Sequence, residues 1–563
     1  MLPTLSSRTK EILLILLLFL ISFSINLYNW DSLSLFEGRG DIHMAKLFSF
    51  ENPEMAGGYT GTIFFLLFMR AILGLNLFSI RLASAISIAS IAVFTYLFAK
   101  DYFDRRTAML TAAMLVMSPV FILTCISDAP FLGFFPALLS LLFYRYCKTK
   151  DMRYLYVGAF VSGYSLYHKL TNLYFLVGLT LSFMVVKYIF KLKTTNFNLN
   201  KRLILILIFL FTAGFSPLII YNTSRGFPLI SAINHTISEY GTALSTIDKM
   251  DMKIRQFAGF SREGSPISED VMFLDPHNPI MLLPRFRYFN LSVFLISATL
   301  LIISRDPKKM FLILLVFFYS CLTIFTPTEL QAIHYMPVQP FFFLIMASGL
   351  IMIYKLDIKT FKIKNINKIL FAILFGIFIF LNLSYLIMCL SLTKDQIFVE
   401  EALPTKAIVH HRVVESLEDA DVIVVPKDTN LVGDYISHIY PEKEVISSCN
   451  VSYDEASDTC SFVSCKAYNL FFTGDKKVRY VFPYLPENPV HYNLTGYGII
   501  EGYGMTCNFD FRPYSKYNNT NYPLEFFLSE AIKRNKTPKL EKDFVNAHGE
   551  IVYRIYSIES QNL

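Results

Sequence analysis

Residues 78–106 read FSIRLASAISIASIAVFTYLFAKDYFDRR, from Phe78 to Arg106, and between Leu82 and Ala99 no charged side chain interrupts them. A helix of that length crosses the roughly 30 Å of hydrocarbon in a bilayer with its backbone groups bonded internally. The two ends differ in charge. Arg81 opens the run, whereas Lys100 and Asp104-Arg105-Arg106 close it. Lys and Arg accumulate on the cytoplasmic side of membrane proteins, so the Arg105-Arg106 end is expected inside and the Arg81 end outside.

The rest of the chain repeats this pattern. Apolar side chains make up 54% of the residues and charged ones 17%, which excludes an ordinary soluble domain. Apolar stretches lie at about 12–27, 60–75, 78–99, 107–126, 129–146, 154–167, 171–190, 203–221, 289–304, 310–326, 336–354 and 368–392. Basic clusters recur at every second turn from residue 104 onward: 104–106, 148–153, 191–202, 305–309 and 355–368. The net charge of +7 therefore reads as topology. It is not a nucleic-acid face, because the basic residues are not strung along one surface between aromatics.

Arg8 and Lys10 precede the first span, which reads as an uncleaved anchor with its N-terminus inside. Between it and the inside cluster at 104–106, exactly one return crossing is allowed, yet two apolar stretches occur. The stretch 60–75 is short, carries Arg70 and opens with Gly57, Gly58 and Gly61, so it is assigned to the outer interface. About eleven transmembrane helices remain, plus juxtamembrane helices. That parity places the loops 28–77 and 222–288 and the tail 393–563 outside. Six Asn-x-Ser/Thr triplets, at Asn222, Asn234, Asn450, Asn493, Asn518 and Asn535, fall in those outer segments.

The expected architecture is a polytopic α-helical membrane domain, residues 1–392, followed by a small extracytoplasmic α/β domain, residues 393–563. Strands are predicted at Val422–Val425 and Val478–Phe482, and helices near 429–438 and 525–534. Of the eight cysteines, Cys125, Cys147, Cys321 and Cys389 lie in or beside apolar runs and read as small hydrophobes. Cys449, Cys460, Cys465 and Cys507 share the tail, which suits an oxidising compartment, and four cysteines allow three pairings.

Ionisable residues at the lipid boundary are costly and mark candidate sites. In the first outer loop, Glu37 and Asp41 are four residues apart and so would share a helix face. Either is a candidate general base for removing a proton from an attacking hydroxyl, and either also has a cationic neighbour in Arg39 or Lys46. Asp128, before Ala129-Pro130, is a further candidate: it would orient the acceptor, act on the proton, cap a helix, or hold a divalent cation with the first-loop carboxylates. Whether a metal is needed is left open. Tyr167-His168-Lys169-Leu170-Thr171-Asn172 breaks an apolar hairpin on the outer side, where a cation suits a lipid-linked phosphate. Arg81 is a second phosphate candidate, or a snorkelling side chain. His334-Tyr335 lies in a short outer turn and is a candidate for meeting sugar or phosphate, or an interfacial anchor. The predicted topology puts all of these on one side of the membrane.

The same residues carry a resemblance. In order, the chain shows Arg81-Leu82-Ala83-Ser84, Phe103-Asp104-Arg105-Arg106, Ser118-Pro119, Ser127-Asp128-Ala129-Pro130 and Tyr167-His168-Lys169-Leu170-Thr171. Further on come Ser216-Pro217-Leu218-Ile219-Ile220-Tyr221-Asn222 and His334-Tyr335-Met336-Pro337. Together they resemble the GT-C glycosyltransferases of the dolichyl-phosphate-mannose protein mannosyltransferase and aminoarabinose transferase type, over residues 10–392. Members of that family usually carry Asp-Glu in the first loop. Here Glu37 falls on the Asp and Gly38 on the Glu, so the base stays open between Glu37 and Asp41.

The resemblance implies the GT-C fold and an inverting transfer from a dolichyl- or undecaprenyl-phosphate sugar to a protein, glycan or lipid acceptor at the outer face of the cell membrane. Lys169, with Arg81, would neutralise the lipid phosphate. Two other readings are a flippase or transporter of lipid-linked glycans, which would want charges near the bilayer midplane, and a block oligosaccharide transferase using a diphosphate carrier.

Overall fold

The computed structural model describes residues 6–28, 63–74, 77–118, 131–191, 201–224, 288–323, 335–356, 366–395, 412–425, 436, 440, 442–447, 449–454, 459–465, 477–484, 517–518, 522–545 and 551–559. Its first part is helical: α1 (Ser7–Leu27), α2 (Ile63–Leu73), α3 (Leu77–Tyr102), α4 (Arg105–Val116), α5 (Phe134–Thr149) and α6 (Met152–His168). Then follow α7 (Asn172–Ile189), α8 (Lys201–Ser224), α9 (Tyr288–Ile303), α10 (Pro307–Leu322), α11 (Gln339–Lys355) and α12 (Ile366–Asp395). Each of the twelve apolar stretches contains one of these helices.

Four of these helices start on a short polar side chain. Ser6 accepts from the Thr9 N–H at 3.1 Å, Asp104 from Thr107 at 2.8 Å, Asp151 from Arg153 at 3.0 Å and Asp306 from Lys308 at 2.9 Å. Each satisfies a backbone donor that the first helical turn leaves open. Three turns at the opposite helix ends use cations instead of glycine in the left-handed conformation: Lys150 (φ 59), Lys191 (φ 47) and Arg305 (φ 51). A positive side chain there also faces the negative end of the helix dipole.

Among the described helices, α1, α3, α7, α8 and α12 are long and apolar enough to cross a bilayer unaided. Helix α2, within the stretch 60–75, has 11 residues, about 17 Å. The stretch 107–126 differs from expectation. Helix α4 stops at Val116 after 12 residues, because Ser118 precedes Pro119 and a residue before proline is pushed out of the helical region. The expected eleven crossings therefore rest on the alternating direction of the helices and not on the length of each.

That alternation is visible in the polar contacts at one end. Glu11 accepts from Tyr96 Oη at 2.7 Å and from Lys100 Nζ at 2.8 Å. Arg145 donates to Asp101 at 2.9 Å, and Lys308 donates to the Tyr102 carbonyl at 2.8 Å while the Tyr102 hydroxyl donates back to the Lys308 carbonyl at 2.8 Å. Lys355 lies 3.5 Å from Asp104. Burial alone would raise the Asp104 carboxyl, but the Thr107 N–H and hydroxyl and the Lys355 ammonium outweigh it and hold the group below the usual carboxylate range. Three of the five basic clusters thus meet at one end of the bundle, with Arg145, three residues before a fourth, beside them.

Elsewhere small residues permit backbone contact. A Cβ at Gly163 in α6 would fall on the Phe211 carbonyl of α8, and one at Gly214 in α8 on the Phe160 carbonyl of α6. Close approach of this kind is how helices associate where lipid removes the hydrophobic incentive. Lipid-facing residues such as Leu205, Phe209 and Phe380 remain exposed on the outside of the bundle.

The tail forms a five-stranded sheet in the order β2 (Glu444–Ser447), β1 (Val422–Val425), β5 (Val478–Pro483), β8 (Ile551–Glu559), β7 (Thr537–Val545). The first three strands are parallel and the last two antiparallel. Ile423 and Val425 pack on one face with Val413, Leu417 and Val481. Val422 and Val424 pack on the other with Tyr480, Leu524 and Phe527, the last two from α13 (Tyr522–Lys533). Burial of both faces is what a continuous β-branched run predicts. A second sheet joins β3 (Cys449–Asp454), β4 (Thr459–Cys465) and β6 (Tyr517–Asn518). The helix predicted near 429–438 falls largely outside the described residues. Asn535 is exposed in a left-handed turn (φ 50) between α13 and β7.

Gly163→Ala and Gly214→Ala are each expected to destabilise the detergent-solubilised protein by about 1–3 kcal/mol. Gly158→Ala, on the same helix as Gly163 but with nothing within 4 Å of the added carbon, is expected to leave stability unchanged or raised. Thermal unfolding of the three variants checks this, and equal shifts at Gly158 and Gly163 would remove the helix contact from the argument.

Candidate functional site

Away from the basic turns, the segment 131–135 forms the hub between α5, α6, α3 and the start of α11. It begins three residues after Asp128. The Phe131 and Phe135 rings lie 6.0 and 5.4 Å from the His168 ring, and the Phe65 ring of α2 lies 5.7 Å from Phe131. Gly133 leaves no room on the other side. A Cβ there would stand 3.1 Å from Ile91 Cδ1 and 3.2 Å from the Met336 carbonyl oxygen. A backbone oxygen cannot turn aside as a side chain can, so the Tyr335-Met336 turn is held directly against this segment.

The turn at the end of α6 is built by its own backbone. The Lys169 N–H donates to the Ser165 carbonyl at 3.0 Å, Asn172 Nδ2 donates to the same oxygen at 2.9 Å, and the Asn172 N–H donates to the Lys169 carbonyl at 3.0 Å. Lys169 itself is extended (φ −156, ψ 126), which stops the helix and re-aims the chain into α7. His168 is fully buried, whereas the Lys169 side chain is half-buried. Of this pair, the permanent cation is the accessible group.

Tyr335 is also fully buried, its ring 6.2 Å from that of Tyr319 at the end of α10. It is enclosed in protein, as an interfacial anchor would not be. Four residues on, Gln339 Nε2 lies 3.5 Å from Ser118 Oγ, tying the start of α11 to the residue after α4. Arg81 is 2% exposed, so its guanidinium does not snorkel to a headgroup layer. It stands ten residues, about 15 Å of helix, beyond Ile91 toward the start of α3. Ser79 in the same turn donates to the Gly74 carbonyl at 2.9 Å and fixes the approach from α2.

The structure therefore brings His168, Lys169, Tyr335 and the residues after Asp128 to one side of the bundle. Arg81 is on that side too, farther from the basic turns. Glu37, Asp41, Asp128 and His334 lie outside the described residues. Among the described residues, no group of three or more His, Cys, Asp or Glu side chains could hold a metal ion. Sequence reasoning passed over Phe131, Phe135 and Gln339. The signals were present: two aromatics four apart directly after Pro130, and an amide at the opening of an otherwise apolar helix.

The family model described as dolichyl-phosphate-mannose-protein mannosyltransferase matches residues 61–221, a stretch that contains Arg81, Asp128, His168 and Lys169. No curated protein matches the sequence. Among solved structures, the chain is similar to ArnT from Cupriavidus metallidurans in the apo state, with a TM-score of 0.53 and 10% identity, covering 98% of each chain. It is also similar to ArnT from the same organism bound to undecaprenyl phosphate, with a TM-score of 0.52 and 11% identity, over 85% of this chain and 94% of that one. At such identities the likeness is one of fold. The chain has the fold of ArnT, that of a multi-pass helical membrane protein, with a small sheet domain at its C-terminal end, and residues 61–221 match the mannosyltransferase family model.

Phe135→Ala is expected to cost about 3–5 kcal/mol, because it opens a void beside His168 and Tyr164. Phe135→Leu should cost less than about 1.5 kcal/mol. Thermal unfolding of the purified protein separates the two, and a neutral Phe135→Ala would show that the ring does not hold the turn.

Proposed function

We propose that this chain is an inverting glycosyltransferase that moves a sugar from a polyprenyl phosphate to a hydroxyl of a protein, glycan or lipid acceptor. The reaction takes place at the membrane face opposite the basic turns, which is the extracytoplasmic one. The observation that carries this reading is the meeting of three segments, those following Asp128, around Lys169 and at Tyr335, at the bundle end away from the basic turns. The family match over residues 61–221 supports it from the sequence side. That ArnT has been captured with undecaprenyl phosphate on a similar fold supports the class of donor.

In this reading the carboxylate of Glu37 or Asp41 takes the proton from the acceptor hydroxyl as its oxygen attacks the anomeric carbon. The bond from that carbon to the phosphate oxygen breaks on the opposite side, and the polyprenyl phosphate leaves as an anion. Lys169, on the edge of a turn fixed by Ser165 and Asn172, meets the growing phosphate charge. Arg81 supplies a second permanent cation farther out. The buried His168 and Tyr335 hold the turns that frame the site, with Asp128 orienting the acceptor. Residues 1–392 constitute the transferase domain and residues 393–563 an outward-facing appendage to it.

Transfer in vitro from a panel of radiolabelled polyprenyl-phosphate sugars tests the reading. Replacing the base, by Glu37→Gln or Asp41→Asn, is expected to lower kcat by about 10²–10⁴-fold. Lys169→Ala and Arg81→Gln are expected to raise KM for the lipid donor more than they lower kcat. If all four keep wild-type turnover, the site is wrong, and a transporter would move the lipid without transferring its sugar. In sealed cells, single cysteines placed at 41, 128 and 169 should all react with an impermeant reagent; protection of any one from outside would break the convergence.

A further inference from the structure

Four cysteines in the tail allow three pairings, and strand register discriminates between them. In the antiparallel pair β3–β4, Cys449 is the direct partner of Cys465, with Asn450 opposite Ser464 beside it. Cys460, on the same strand as Cys465, is opposite Tyr453. Residues directly opposite in an antiparallel ladder share a face and have their Cα atoms about 4.5–5.5 Å apart. That interval lies inside the range of about 4.4–6.8 Å that a disulfide spans.

The alternatives are too far apart. Cys460 and Cys465 are separated by five residues of one strand, about 15 Å. Cys449 is four residues along β3 from Tyr453, the partner of Cys460, which puts Cys449 and Cys460 about 13 Å apart. Both exceed the roughly 7 Å beyond which two cysteines cannot be bridged without moving backbone. Two of the three pairings each require one of these long bridges. Cys507 lies outside the described residues.

We infer that Cys449 and Cys465 form a disulfide across the β3–β4 ribbon. It closes the open end of the ribbon, opposite the connection from Asp454 to Thr459, and locks the register on the far side of the irregularity between Asn450 and Val451. The chemistry is thiol–disulfide exchange with an oxidised dithiol carrier of the extracytoplasmic space. One cysteine thiolate attacks the carrier's disulfide and displaces one carrier thiolate, giving a mixed disulfide. The second cysteine thiolate then attacks the first cysteine's sulfur and displaces the other carrier thiolate. In sum two electrons and two thiol protons pass from the cysteine pair to the carrier, which leaves as a dithiol. The inference rests on the outward placement of the tail.

The test uses full-length protein from membranes treated with N-ethylmaleimide before lysis, digested without reductant by trypsin, Asp-N and chymotrypsin, and read by mass spectrometry. Cleavage after Lys443, Tyr453, Phe462 and Lys466 separates the three cysteines of this region. Peptide 444–453 is expected to be joined to peptide 463–466, the two parting on reduction, and Cys449→Ser is expected to leave Cys465 alkylated. Discovery of Cys449 or Cys465 in a bond with any other cysteine would overturn the pairing while leaving the outward placement standing. Full alkylation of all four cysteines would overturn both.

Discussion

Gly133 lies so close to the Met336 carbonyl and to Ile91 that no larger side chain fits without backbone movement. This contact, together with the packing of Phe131 and Phe135 on His168, fixes three chain segments to one another: the opening of α5, the end of α6 and the opening of α11. Each of these segments is followed or preceded by residues with chemistry to offer. A helix in lipid satisfies its own backbone, but a turn at membrane depth does not, and it must be enclosed by protein. The aromatic enclosure therefore does two things at once. It pays the backbone's demand for burial and it sets the turns in register.

The opposite end of the bundle is held by a different kind of interaction. Glu11, Asp101 and Asp104 each take a cation from another helix or another turn, and Lys308 is shared between a backbone carbonyl and the faces of Tyr102 and Tyr144. Several of these groups are substantially exposed, so each pair contributes little by itself. Their consequence is alignment: the clasp places the ends of α1, α3, α5, α10 and α11 together. With one end fixed by charge and the other by close packing, the helices between them have little freedom to slide.

The tail shows a parallel division of labour. Its five-stranded sheet is stabilised by apolar burial on both faces, while the small β3–β4–β6 sheet is joined by strand pairing. A covalent bridge across its two longest strands suits a sheet of only three strands, one of them two residues long.

Much of the fold was legible in the order of residues. Apolar runs, the basic clusters at alternate turns, and the β-branched runs at Val422 and Val478 are local signals. They act through backbone satisfaction, charge placement and side-chain period, none of which needs knowledge of distant neighbours. The candidate cations Arg81 and Lys169 were found for the same reason, because an ionisable residue in an apolar setting is conspicuous by itself. What sequence could not supply was which turns meet. Phe131 and Phe135 look like any core aromatics until His168, more than thirty residues away, is seen against their rings. Gly133 looks like any glycine until the Met336 carbonyl, about two hundred residues on, closes over it. The order of residues determined the helices, their alternation and the cost of the charges between them, because those are properties of a segment and its solvent. Only the tertiary structure decided that Arg81 is buried, that Lys169 is the accessible group of its turn and that Cys449 and Cys465 are partners in the strand register, because each of these depends on how close two remote backbones come.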